Sequence, residues 1–122
     1  MRLSGKTYRA VLRALADASE GKFVVFVSGY SHDDRALRFA HDLTHCLHDC
    51  AYFNAQRREV TFRKDDGVEV IGTLNVTHIE AFEQDVRGGR YRGTERTKFK
   101  VVFDDCGPSE RLRDFLKECA CG

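Results

Sequence analysis

The sequence holds no tryptophan, one proline and one methionine, and its 20 lysines and arginines nearly cancel its 19 aspartates and glutamates. Each scarcity excludes something. A formal net charge of +1 gives no global attraction to nucleic acid, so any polyanion contact must come from a local cluster of charge. No apolar run approaches the length that spans a bilayer, and no membrane partner is expected. No basic segment followed by an apolar one opens the chain, and its five cysteines cannot all pair with one another. A disulfide framework is therefore not expected, and the reducing cytoplasm is the expected compartment. Repeats, low-complexity tracts and linkers are also missing. What is present is 122 residues of which 42% are hydrophobic, enough for one domain over residues 1–122 with a core of its own.

The apolar residues recur with readable periods. Tyr8, Val11, Leu12 and Leu15 lie at helical spacing and Gly21 follows as a left-handed stop, which predicts a helix over residues 6–20. Residues 22–28 (KFVVFVS) form a continuous β-branched and aromatic run, as in a strand covered on both faces. Ser31 or Asp33 can cap a second helix whose stripe is Ala36, Phe39, Ala40, Leu43, Leu47 and Cys50. The runs 58–62 and 68–71 flank Lys64-Asp65-Asp66-Gly67, a strong hairpin signal. Ile79, Phe82 and Val86 share a face of a short helix stopped by Gly88-Gly89. Residues 98–104 (KFKVVFD) read as another buried strand, and Pro108 opens a last helix with Leu112, Phe115 and Leu116 inward. The expected fold is α/β: a small, mixed and mostly parallel sheet with a β-hairpin and helices on both faces. Residues 23–27 and 99–103 are expected to be parallel and central.

Four constellations bear on chemistry. Ser4-Gly5-Lys6-Thr7 matches the end of the phosphate-binding pattern G-x-x-x-x-G-K-[ST], whose first glycine would fall one position before Met1. Backbone N–H groups, the helix dipole and the Lys6 ammonium suit phosphate; the competing reading is a Ser4 cap and a solvated Lys6. Asp104-Asp105 closes a strand at the edge where open α/β sheets bind ligands, and paired carboxylates there suit hydrated Mg²⁺. A plain turn through Gly107-Pro108 competes with that reading. The stretch RGGRYRGTERTKFK carries Arg87, Arg90, Arg92, Arg96, Lys98 and Lys100 against Glu95 alone, with Tyr91 among them. That pattern suits phosphate contact with base stacking. His41, His45 and His48 follow at i, i+4 and i+7, but without the glutamate of H-E-x-x-H they read as a surface helix, and Cys106, Cys119 and Cys121 form no paired CxxC motif.

Taken in order, SGKT, KFVVFVSG, REVTFRKDDGVEVIG, DVRGGRYRG and KFKVVFDD resemble the ATPase core of phage large terminase subunits and related helicase-like P-loop proteins, over residues 4–105. The resemblance implies an abbreviated P-loop NTPase-like domain with ATP and Mg²⁺ as cofactors. Gly5, Lys6 and Thr7 would bind nucleotide, with Lys6 toward the β- and γ-phosphates. Thr7 and Asp104 would serve the metal, and Asp105 would take the catalytic place of the usual glutamate. It also implies an Arg-Gly element near the nucleotide. The departures are the first P-loop glycine and its strand, which do not appear before Gly5, the shorter Asp105, and a single helix after the Walker B strand. They imply weak or lost hydrolysis, at most a weak ATPase related to DNA-packaging or helicase enzymes, with Arg87, Arg90, Tyr91, Arg92, Arg96 and Lys98 contacting polyanion. The alternative is a non-catalytic phage-type binding or inhibitor module for nucleic acid or a host protein. Expected partners are nucleic acid or an acidic protein surface, and an oligomer or second chain that completes the sheet. The setting implied is the cytoplasm of a bacterium or phage-infected cell.

Overall fold

The computed structural model describes residues 5–29, 34–47, 51–64, 68–94 and 96–104, except for the side chains of Leu47 and Arg96. Within them the order is α1 (Lys6–Ser19), β1 (Phe23–Ser28), α2 (Arg35–Leu47), β2 (Ala51–Asn54), β3 (Glu59–Arg63), β4 (Val70–His78), α3 (Ile79–Arg87), a 3-10 turn (Arg96–Lys98) and β5 (Phe99–Asp104). The strands form one sheet in the order β2-β3-β4-β1-β5. β1 pairs in parallel with β4 on one side and β5 on the other, which is why its apolar run is unbroken: Val24, Val25, Phe26 and Val27 are all fully buried.

Alternate residues of β1 serve two cores. Val24 and Phe26 join Val11, Leu15 and Ala18 of α1, Ala36 and Ala40 of α2, and Val60, Leu74 and Val76. Val25 and Val27 face the other way, onto Phe82 and Val86 of α3 and onto Tyr91. The helices thus cover both faces, as the apolar periods imply, and the fold is α/β with a mixed sheet. Among the described residues no helix is long and apolar enough to cross a membrane.

Three details depart from the sequence expectation. Residues 99–103 are parallel to β1 but not central: β5 is the last strand of the described sheet, and five of its six residues are only half-buried. The run KFKVVFD looks like a buried strand because apolar residues fall on both of its faces; composition does not reveal whether a neighbour exists on each side. The sheet is also evenly mixed, not mostly parallel, because β2-β3 and β3-β4 are antiparallel. Finally, β2 was not foreseen, since four residues (AYFN) are too short to show a period.

The hairpin of β3 and β4 forms as expected. Asp65-Asp66-Gly67, where the turn is expected, lie outside the described residues, but Lys64 N donates to Glu69 O at 2.9 Å and the two side chains pair at 3.0 Å. β4 continues to His78, with Asn75 and Thr77 buried in spite of their polarity. Asn75 Nδ2 donates to Arg57 O and Arg58 O at 3.1 and 3.3 Å. Where β4 passes under the end of α1 stands Gly72: a Cβ there would overlap the carbonyl oxygen of Ala18 and come within 2.8 Å of that of Lys22. The proposed last helix (Pro108, Leu112, Phe115, Leu116), the caps Ser31 and Asp33, and Cys50, Cys106, Cys119 and Cys121 lie outside the described residues, as do His48 and Asp105.

Candidate functional site

The parallel strands end together. Ser28 of β1 stands level with His78 of β4 on one side and Asp104 of β5 on the other, forming a polar row across the carboxyl edge of the sheet. Ser28 and Asp104 are buried, whereas His78 accepts from Ala81 N at 3.5 Å and so caps α3.

α1 starts at this same edge. Thr7 Oγ1 in its first turn donates to Asp104 Oδ2 at 2.9 Å. Before Thr7 come Lys6, exposed, and Gly5, whose φ of 73° and ψ of 8° put it in the left-handed region. A left-handed residue leading into helical ones turns successive backbone N–H groups the same way, the geometry of an anion-binding nest. The helix has no side-chain cap bond at its N-terminus and no acidic residue in its first turn, so the anion at the positive end of its dipole is the Asp104 carboxylate held by Thr7. The site therefore joins two hard oxygen donors, Thr7 and Asp104, to a helix N-terminus whose first residue is Lys6. Such donors fit Mg²⁺, which binds a few protein oxygens and completes its shell with water and phosphate. Among the described residues no group of three or more His, Cys, Asp or Glu could hold a metal.

The chain matches no protein-family model, no curated protein and no solved structure. Its chemistry follows from geometry.

The basic stretch lies elsewhere. α3 leaves the carboxyl edge after β4 and β5 begins again at the opposite edge, so residues 88–94 and 96–98 sit at the amino end of the sheet. The length of β5, roughly 17 Å from Phe99 to Asp104 at strand rise, separates them from Thr7 and Asp104. The resemblance implies an Arg-Gly element near the nucleotide; the described part of that element stands at the edge opposite Thr7 and Asp104. Tyr91 needs a second correction. It is only 7% exposed and packs among Phe23, Phe82 and Phe99, with ring centres 6.2, 5.6 and 5.5 Å away. Its ring fills the α3-side core and is not presented to a base. Its hydroxyl has no hydrogen-bond partner among the described residues, and burial pushes its pKa up to about 12. Arg90 is paired with Asp85 at 2.8 Å and leans over the Tyr91 ring. Arg87, Arg92 and Lys98 are exposed, Arg92 lying against Gly89. Lys100 leaves the cluster to pair with Asp17 of α1 at 2.6 Å.

Sequence reading missed Arg58. It is the one described non-glycine residue with a positive φ, 53°, and it is held from several sides. Its Nε donates to Val76 O at 3.0 Å, its Nη2 pairs with Asp34 Oδ1 at 2.8 Å, and its own carbonyl accepts from Val76 N at 2.8 Å. A strained backbone fixed this way places a cation near the carboxyl edge, on the β4 side. The only local signal was Asn54, whose Oδ1 accepts from Arg57 N at 3.1 Å and shapes the turn.

Proposed function

We propose that the protein is a P-loop NTPase-like domain that binds Mg²⁺-nucleotide at the carboxyl edge of its sheet, with weak or lost hydrolysis. The observation that carries the reading is the 2.9 Å bond from Thr7 Oγ1 to Asp104 Oδ2. A Gly-Lys-Thr turn and a strand-terminal aspartate mean little separately. Brought together at a helix N-terminus, they are the hydroxyl, carboxylate and N–H groups that a magnesium-bound polyphosphate requires. Lys6 would meet the terminal phosphates, the Gly5 turn would receive phosphate oxygens, and Thr7 and Asp104 would orient the hydrated ion. Magnesium would supply charge neutralisation across those oxygens. Asp105, outside the described residues, is the proposed residue that positions water. Weak turnover is the expectation because positioning and charge stabilisation supply nearly all of phosphoryl-transfer catalysis, and the Arg-Gly loop is too distant to add its charge.

The experiment is calorimetric titration of the chain with ATP, with and without Mg²⁺. Binding that needs Mg²⁺ and falls at least tenfold in Thr7→Ala and Lys6→Ala is the expected result. No binding under either condition would remove the reading. A second reading, a non-catalytic module for nucleic acid or an acidic protein, has its own support in the exposed Arg87, Arg92 and Lys98 at the amino edge.

A further inference from the structure

We infer that His41 and His45 form a chelating site for a divalent transition-metal ion of the Zn²⁺, Ni²⁺ or Cu²⁺ class, separate from the Mg²⁺-nucleotide edge. Histidines four residues apart are common on helices, and spacing alone carries no such conclusion. The side-chain geometry adds to it. The rings are already turned toward each other through the same nitrogen, with His45 Nε2 and His41 Nε2 3.1 Å apart and ring centres at 4.5 Å. Two metal–nitrogen bonds of about 2.0–2.1 Å, set at roughly 90–110°, span about 2.9–3.4 Å between the nitrogens. The observed separation falls inside that bite, so the two nitrogens need not move apart for a cation to replace the bridging hydrogen bond.

Two further contacts preorganise the pair. The edge-to-face contact of His41 with Phe53 of β2, ring centres 4.9 Å apart, fixes the plane of the imidazole. On the far side of the same ring, Nδ1 lies 3.2 Å from Asp42 Oδ1. A carboxylate there favours the tautomer with the proton on Nδ1 and leaves the Nε2 lone pair for the metal, the carboxylate–histidine–metal arrangement. With His41 in that tautomer, the proton between the rings sits on His45 Nε2 in the metal-free form. On binding it moves to His45 Nδ1, so both rings ligate as neutral imidazoles. Both residues reach solvent, which gives the ion an entry path and leaves its other positions to water or to a donor from a partner. Imidazole selects the borderline cations, whereas Mg²⁺ prefers oxygen, so the two sites do not compete.

The test is titration of the tag-free chain with Cu²⁺, Ni²⁺, Zn²⁺ and Mg²⁺ separately, read by calorimetry and by the melting temperature. The expected result is one equivalent bound in the order Cu²⁺ above Ni²⁺ and Zn²⁺, none of Mg²⁺ at this site, and a rise in melting temperature on metal addition. His41→Gln and His45→Gln should each weaken binding at least tenfold and abolish the thermal shift while leaving the metal-free fold unchanged by circular dichroism. Asp42→Asn should weaken it about tenfold through the orienting contact. Cys46→Ser, His48→Gln and Asp104→Asn should keep the affinity. Full affinity in either His41→Gln or His45→Gln, or loss in Cys46→Ser or His48→Gln with the pair intact, overturns the inference.

Discussion

Thr7 and Asp104 lie 97 residues apart in the chain, yet the hydroxyl of one donates to the carboxylate of the other at 2.9 Å, and Asp104 is 7% exposed. The bond ties the first turn of α1 to the end of β5 and forms the centre of the proposed nucleotide site. A carboxylate so placed is costly to leave without its donor.

Thr7→Ala should therefore destabilise the protein by about 1–3 kcal/mol, the cost of leaving a buried acceptor unpaired. Thr7→Ser keeps the hydroxyl and should lose far less. Denaturant midpoints of the two variants decide the point, and equal midpoints would mean that the contact contributes nothing. Mg²⁺-dependent nucleotide binding should follow the same order, with Thr7→Ser retaining it.

Tyr91 makes a prediction opposite to that of a base-stacking residue. Its hydroxyl is buried without a partner among the described residues, so Tyr91→Phe should stabilise the fold by about 1 kcal/mol. Tyr91→Ala should cost about 3–5 kcal/mol by emptying an aromatic core position. The alkaline limb of stability checks the same burial. The ordinary tyrosine pKa of 10.0 is raised to about 12 in the fold, so the folded state holds the proton more tightly than the unfolded state. That contribution is complete below pH 10 and is lost as pH rises from 10 to about 12. Melting curves across this window should fall more steeply for the parent than for Tyr91→Phe. Parallel curves would contradict the burial.

Gly72 should tolerate no side chain. A Cβ at this position meets backbone carbonyls of Ala18 and Lys22, which cannot turn aside as a flexible side chain could. Gly72→Ala should cost at least about 1–3 kcal/mol, through separation of α1 from β4. Unchanged stability in urea would show that the helix end can shift freely.

The amino-edge cations should act through charge alone. If nucleic acid binds there, Arg87→Ala and Arg92→Ala should each lower the salt dependence of affinity by about 0.7–0.9 in log–log slope. Arg90→Ala should do less, because Arg90 already pairs with Asp85. None of the three should change nucleotide binding at the far edge of the sheet. A salt series with single-stranded and duplex DNA measures the slopes, and no binding at low salt would leave an acidic protein as the partner for this surface.

Much of the scaffold was legible along the chain. α1, β1, the hairpin, α3 and β5 each announce themselves by a local period or an unbroken apolar run, because burial of one stripe or both faces leaves its mark on neighbouring residues. Gly5-Lys6-Thr7 and Asp104 were legible as residue types whose chemistry suits phosphate and magnesium. Only tertiary structure decided what they meet, since strand order and pairing depend on contacts far apart in sequence. It put β5 beside β1 at the end of the described sheet and Asp104 under Thr7. It also sent the arginine-rich loop to the opposite edge, because α3 leaves the carboxyl edge after β4 and β5 starts level with the amino end of β1. Tyr91 shows the limit most plainly. Among arginines and glycines it reads as an exposed stacking residue, yet the turn after α3 carries its ring over Phe23, Phe82 and Phe99, where apolar burial outweighs the cost of one unpaired hydroxyl.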